Sequence, residues 1–187
     1  MNKGICAMAA IALAFATTVR AAEDAATKQK RIQHGKHLVD TIGCQDCHSP
    51  KLFDGGFPHP DPTKTMSGFS GMKLPPVDKK ALTPGYWILM APDLTAYVGP
   101  WGISYAANLT PDEQTGIGLW TEDIFVASIR TGKHMGAGRE VLPPMPWNYY
   151  LNATDDDLKA IFAYLKSLPP IKNAVPAPVA PQDAAKM

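Results

Sequence analysis

Two cysteines separated by two residues and followed at once by a histidine, Cys44-Gln45-Asp46-Cys47-His48, constrain this chain more than any other feature of its 187 residues. Three chemistries use such a spacing. A structural zinc site takes four ligands and pairs the motif with a second Cys or His couple, whereas the only other thiol here is Cys6. A redox dithiol sits in a strand-to-helix context, and no parallel-sheet pattern surrounds residues 44–48. Covalent attachment of haem uses all three residues at this spacing. Each thiol adds to one vinyl group of the porphyrin, a short turn carries both sulfurs to one ring edge, and the imidazole of His48 falls beneath the iron as its proximal ligand. The expected cofactor is one covalent haem c on Cys44, Cys47 and His48.

The first 21 residues read as an export signal rather than as part of the fold. Met1-Asn2-Lys3 gives a basic start, Ile5 to Val19 is apolar and Ala-rich, and Val19-Arg20-Ala21 offers small residues for cleavage after Ala21. About 15 apolar residues fall short of the roughly 20 that span a bilayer, so an uncleaved anchor is the lesser reading of the same run. Cleavage removes Cys6 and leaves no thiol for a structural disulfide, which makes a covalent haem the staple of an exported, periplasmic bacterial domain. Losing Lys3 and Arg20 turns 18 basic and 17 acidic residues into 16 and 17, a net charge of −1. A near-neutral chain without a clustered basic face gives no footing for nucleic acid.

Along the chain, Ala25 to Gly43 reads as a first helix with Ile32, Leu38, Val39 and Ile42 on one face and Gly43 ending it. Gly35 interrupts that face at about 1 kcal/mol against Ala, a cost that a close helix crossing offsets. His34 and His37, three apart, read as a solvated flank rather than a metal pair. Residues 49–120 form a long Pro- and Gly-rich insertion. Its runs Tyr86 to Met90 and Trp101 to Tyr105 are β-prone and are expected to pair as a small hairpin, with the aromatic-rich stretch folding back over the haem pocket. Thr121 to Arg130 is a second helix, capped by Thr121 and closed by Gly132, with Ile124, Phe125 and Ile129 inward. Thr154 to Leu168 is a third, with a capping box of Thr154 and Asp157 and an apolar face of Leu158, Ile161, Phe162, Leu165 and Leu168. Ile171 to Met187 is a Pro- and Ala-rich tail read as mobile or as a tether.

A haem that must not bind dioxygen or peroxide needs a sixth ligand, and a thioether favours the reduced iron. Met145 stands out because prolines at 143, 144 and 146 stiffen its backbone and keep it out of helix. Its rivals are Met66, Met72, Met90 and Met135 as thioethers, and His59 and His134 as imidazoles. Arg139 and Trp147 are candidates to meet the haem propionates through charge and indole N–H. A vacant sixth position would point instead to an open-site haem sensor or peroxidase.

The order of an N-terminal helix, Cys44-Gln45-Asp46-Cys47-His48, a proline-bracketed Met145 and a C-terminal helix with Leu158, Tyr164 and Leu165 resembles the class I cytochrome c domain. That resemblance implies an all-α domain over residues 22–170 around one haem, with the insertion at 49–120 and a crossing of the first and last helices at which Gly35 meets Tyr164. Asn108 to Asp112, Thr115 to Thr121 and Leu142 to Trp147 are similar to stretches of the exported cytochrome c subunits that accompany membrane-bound alcohol and sugar dehydrogenases. Those subunits carry three haem motifs, and this chain has one. The likeness implies axial ligands His48 and Met145 and electron transfer outside the cytoplasm, with redox proteins as partners: a dehydrogenase as donor, an oxidase or another cytochrome as acceptor. The leading expectation is a single-electron carrier that catalyses no reaction itself; the alternative is a relay subunit within a dehydrogenase complex.

Overall fold

A helix over residues 24–41, α1, opens the computed structural model, which describes residues 24–187. The expected signal segment and Cys6 lie outside the described residues. The last long helix, α4 (Asp155–Ser167), packs across α1 at Gly35. A Cβ on Gly35 would stand 1.9 Å from the carbonyl oxygen of Ala160 and 3.0 Å from the amide nitrogen of Ile161, so the two backbones touch and no larger residue fits. The expected glycine-to-aromatic contact at Tyr164 is thus met first by backbone one turn earlier, while Tyr164 itself is buried in the same core. His34, on α1, donates to the Asp157 carboxylate of α4 at 2.7 Å, and no His, Cys, Asp and Glu cluster among the described residues could hold a metal ion.

Both later helices begin where local chemistry says they should. Thr121 accepts from the Ile124 amide to start α3 (Glu122–Thr131), which ends at Gly132 with φ 65°. Thr154 and Asp157 cap α4 reciprocally. Phe125 of α3 and Leu158, Ile161, Phe162, Tyr164 and Leu165 of α4 bury together with Val39, Met66 and Ile117 as the main core. Ile129 is partly buried against this core.

Residues 49–120, expected as an insertion, depart from an all-α fold. After the short α2 (Cys44–His48), strands β1 (Lys51–Leu52) and β2 (His59–Pro60) pair antiparallel. A second sheet has the order β3-β4-β5, built from Leu89–Met90, Ala96–Gly99 and Gly102–Tyr105. The two β-prone runs both contribute strands, yet they do not pair with each other. Ala96–Gly99 lies between them, pairing Val98 with Leu89 on one side and Tyr97 with Ser104 on the other. Gly102, at φ 94°, closes the tight β4-β5 turn. Only part of the aromatic stretch folds inward: Trp87 stays 76% exposed, and Tyr86, Ile88, Leu89 and Met90 are exposed with it.

The tail also differs from expectation. Ile171 donates to the Thr110 hydroxyl, the Asn173 side chain donates to the carbonyls of Ser67 and Phe69, and Val179 exchanges two backbone hydrogen bonds with Ile103 on the edge of β5. It ends in α5 (Pro181–Ala184), with Ala184 fully buried. Proline and alanine leave no apolar periodicity to read, but they do not prevent a chain from pairing along an open strand edge. No helix among the described residues is long and apolar enough to cross a membrane.

Candidate functional site

The C-terminal end of α1 delivers the chain to the motif through a sharp turn. Gly43 adopts φ 75°, a left-handed conformation that glycine takes without a Cβ penalty, and this lets α2 start at once in a new direction. In α2 the residues Cys44 and Cys47, three apart, share one helix face. Neither thiol is in a disulfide. Burial pushes the Cys44 thiol up to about 11, and the Tyr97 hydroxyl lies 2.9 Å from the Cys47 sulfur.

His48 closes the helix. Its Nδ1 lies 2.8 Å from the carbonyl oxygen of Ala107, and because a carbonyl only accepts, Nδ1 carries the proton. Burial holds the imidazole below its ordinary range against the opposing pull of that carbonyl. A neutral ring protonated on Nδ1 presents a lone pair at Nε2, the form in which histidine ligates a metal. The short helix is secured at its C-terminal end by Lys51, whose ammonium donates to the carbonyls of Gln45, Asp46 and Ser49 at 2.8, 2.9 and 2.5 Å.

Beside this motif lies a cavity of about 310 Å3. Its walls come from the end of α1, α2, Met66, β5 with Ala106 and Ala107, the inner faces of α3 and α4, and the loop 141–147. Cys44, Cys47, His48, Met145, Arg139 and Trp147, the six residues singled out in the sequence, all line it. Of the rival ligands Met66 and His134 also reach it, whereas Met72, Met90, Met135 and His59 do not. Met66 is fully buried and belongs to the main core, and His134 stands edge-on to Trp120 at 5.2 Å. Trp147 packs on Gly132, where a Cβ would come within 2.4 Å of its indole. The Arg139 guanidinium donates to the neighbouring Glu140 carbonyl and is exposed at the cavity's edge.

Several lining or supporting residues carry no signature in the sequence. Tyr97, Tyr105 and Tyr150 line the cavity, and burial raises the Tyr150 phenol to about 12. Arg130, which suits the end of α3 by charge, instead reaches out to the carbonyls of Leu151 and Ala153 and the Asp155 carboxylate, tying the 3-10 turn Trp147–Asn152 to the start of α4. Ser104 of β5 donates to the Pro143 carbonyl at 2.6 Å. A basic residue just beyond a short helix was the one legible hint, and it points to Lys51.

The residues fit a covalently held porphyrin. Two unbridged thiols on one helix face, a neutral imidazole with its Nδ1 engaged, and a thioether from another wall surround one largely apolar cavity.

No family model matches the chain. Among characterised proteins it is 27% identical over 178 residues to the gluconate 2-dehydrogenase cytochrome c subunit of Pantoea cypripedii, covering 93% of this chain and 31% of the relative. The fructose dehydrogenase cytochrome subunit of Gluconobacter japonicus matches at 28% over 163 residues, 85% of this chain and 26% of the relative. A shorter match, 37% identical over 65 residues, joins 35% of this chain to 13% of the cytochrome c subunit of a quinone-dependent alcohol dehydrogenase from Gluconobacter oxydans. The chain therefore spans less than a third of the length of each of these relatives. Cytochrome subunits of sugar- and alcohol-oxidising dehydrogenases are what the sequence motifs resemble, and these relatives are proteins of that kind.

Proposed function

We propose that this chain is an exported monohaem c-type cytochrome that passes single electrons between redox proteins, its haem bonded to Cys44 and Cys47 and its iron ligated by His48 and Met145. One observation carries the reading: both thiols, the imidazole and the proline-bracketed thioether line the same apolar cavity. Bound there, haem supplies a one-electron ferric/ferrous couple. The chain's own residues do the rest. Cys44 and Cys47 hold the ring edge, Ala107 orients His48, and the apolar lining from Val39, Leu109, Phe125 and Leu158 keeps water and charge away. Arg139 and Trp147 offer a guanidinium and an indole N–H to the propionates, both being at the cavity wall. Met145, as a second protein ligand beside His48, would close such a haem to small ligands, so the domain would relay electrons rather than activate oxygen or peroxide.

The second reading, a relay within a dehydrogenase complex, draws on the relatives: a cytochrome c subunit of a gluconate dehydrogenase aligns with 93% of this chain. Co-purification with a single dehydrogenase from the native host separates it from a diffusing carrier. For the ligand set, the test is the optical spectrum of holoprotein matured in a host competent for cytochrome assembly. Wild type should be low-spin with a far-red sulfur-to-iron charge-transfer band that Met145→Ala removes. A high-spin ferric spectrum, or a band untouched by Met145→Ala, would contradict the assignment.

A further inference from the structure

Met145 sits in a turn that has little means of holding itself. Prolines at 143, 144 and 146 have no amide hydrogen to donate, and the Met145 amide makes a long bond of 3.3 Å to the Leu142 carbonyl. The Pro143 carbonyl is where the rest of the protein takes hold of the turn, and the residue that does so comes from the insertion. We propose that Ser104, oriented by Trp101, is a positioning residue for the Met145 thioether; this rests on the reading of Met145 as the haem ligand.

The hydrogen-bond directions follow from the groups. An indole N–H only donates and a carbonyl only accepts, so the hydroxyl between them must accept from Trp101 Nε1 at 3.1 Å and donate to Pro143 at 2.6 Å. Ser104 is 7% exposed, so water has little access to replace either bond. Each neighbour is itself seated. A Cβ on Gly99 would fall 2.4 Å from the Trp101 ring, so the indole lies against β4. On the other edge of β5, Ile103 and Val179 exchange backbone hydrogen bonds of 2.9 and 3.0 Å, and Gly102 lies so close that a Cβ would be 2.0 Å from the Val179 carbonyl oxygen. Support runs from the tail through β5 and Ser104 to Pro143, two residues before Met145. A thioether is a weak ligand, and how long it stays on the iron depends on how firmly its loop is held. The insertion and the tail thereby set the persistence of the sixth bond.

The test compares holoprotein of wild type, Ser104→Ala, Ser104→Thr and Trp101→Phe by two measurements: the far-red charge-transfer band, and titration of the ferric protein with imidazole, which competes with the thioether for iron. Ser104→Ala should bind imidazole about tenfold more tightly, the effect of losing one buried hydrogen bond. Its charge-transfer band should weaken. Trp101→Phe should move both readings the same way by less, and Ser104→Thr, which keeps the hydroxyl, should restore them. Imidazole affinity within about twofold of wild type in Ser104→Ala, with the band intact, overturns the proposal. Should Ser104→Ala yield no holoprotein, an unmoved Trp101→Phe overturns it. A wild type without the band refutes the Met145 reading and this proposal together, whereas a banded wild type with unmoved variants refutes the proposal alone.

Discussion

Two parts of the cavity lining, α2 and the loop bearing Met145, are fixed by different means. The α2 wall is held through many directed bonds: three carbonyls on Lys51, Ala107 on His48, the Gly68 amide on the His48 carbonyl at 2.8 Å, and the Gln45 side chain on Asp40 at 3.0 Å. The loop bearing Met145 has fewer long-range ones, Val141 to the Gly132 carbonyl at 2.8 Å and Ser104 to Pro143 at 2.6 Å; beside the short-range bonds of the Met145 amide to Leu142 and the Tyr149 amide to Pro146, it depends on proline stiffness. One wall is tied by redundant hydrogen bonds and the other by a lack of freedom. On the proposed ligand set, exchange at the iron would fall on the loop side.

The largest way to break the contrast is to remove the crossing behind the α2 wall. Gly35→Val would push a branched side chain into the Ala160 carbonyl and should cost about 3 kcal/mol, read from the urea midpoint of the holoprotein. A shift below about 1 kcal/mol would mean that α1 and α4 can separate without consequence. Next in size, Lys51→Met leaves three carbonyls of the α2 end without their cation and should cost about 2 kcal/mol. A urea midpoint unmoved by Lys51→Met would remove Lys51 from the account of this wall.

The smallest effect lies at the start of α4. The Thr154 hydroxyl, with the bond from His34 second, holds the Asp157 carboxyl below its ordinary range. A depressed folded value stabilises the fold above the unfolded value, and that contribution is lost as pH falls through the folded one. Asp157→Ala should therefore cost about 1 kcal/mol at pH 7 and progressively less below about pH 4, until the two proteins unfold alike in acid. A deficit that stays constant down to about pH 2 would place the effect in packing rather than in charge.

What the sequence announced and what it concealed divide along physical lines. Thr121, Gly132 and the Thr154-Asp157 box act on backbone groups within four residues, so local order is enough to find the ends of α3 and the start of α4. The thiols and His48 are likewise a local pattern, and a row of prolines around Met145 is visible because it restricts the backbone by itself. By contrast β4 is a four-residue strand, Ala96–Gly99, whose partners are chosen by long-range pairing, and no periodicity separates it from its neighbours. The tail docks through backbone bonds and the side chain of Asn173, which is likewise invisible to a hydrophobic pattern. Ser104 lies within a β-prone run, but its partner is 39 residues away in the chain. The candidate site is thus half local and half long-range, and the long-range half comes from the stretch least regular in sequence.

The most direct test of the central claim is the intact mass of the protein after maturation in a cytochrome-assembling host and full denaturation. Wild type should retain one haem that acid and organic solvent do not extract, and the double variant Cys44→Ala/Cys47→Ala should retain none. Wild-type protein recovered at the mass of the bare chain, or carrying a haem that solvent removes, would contradict the account.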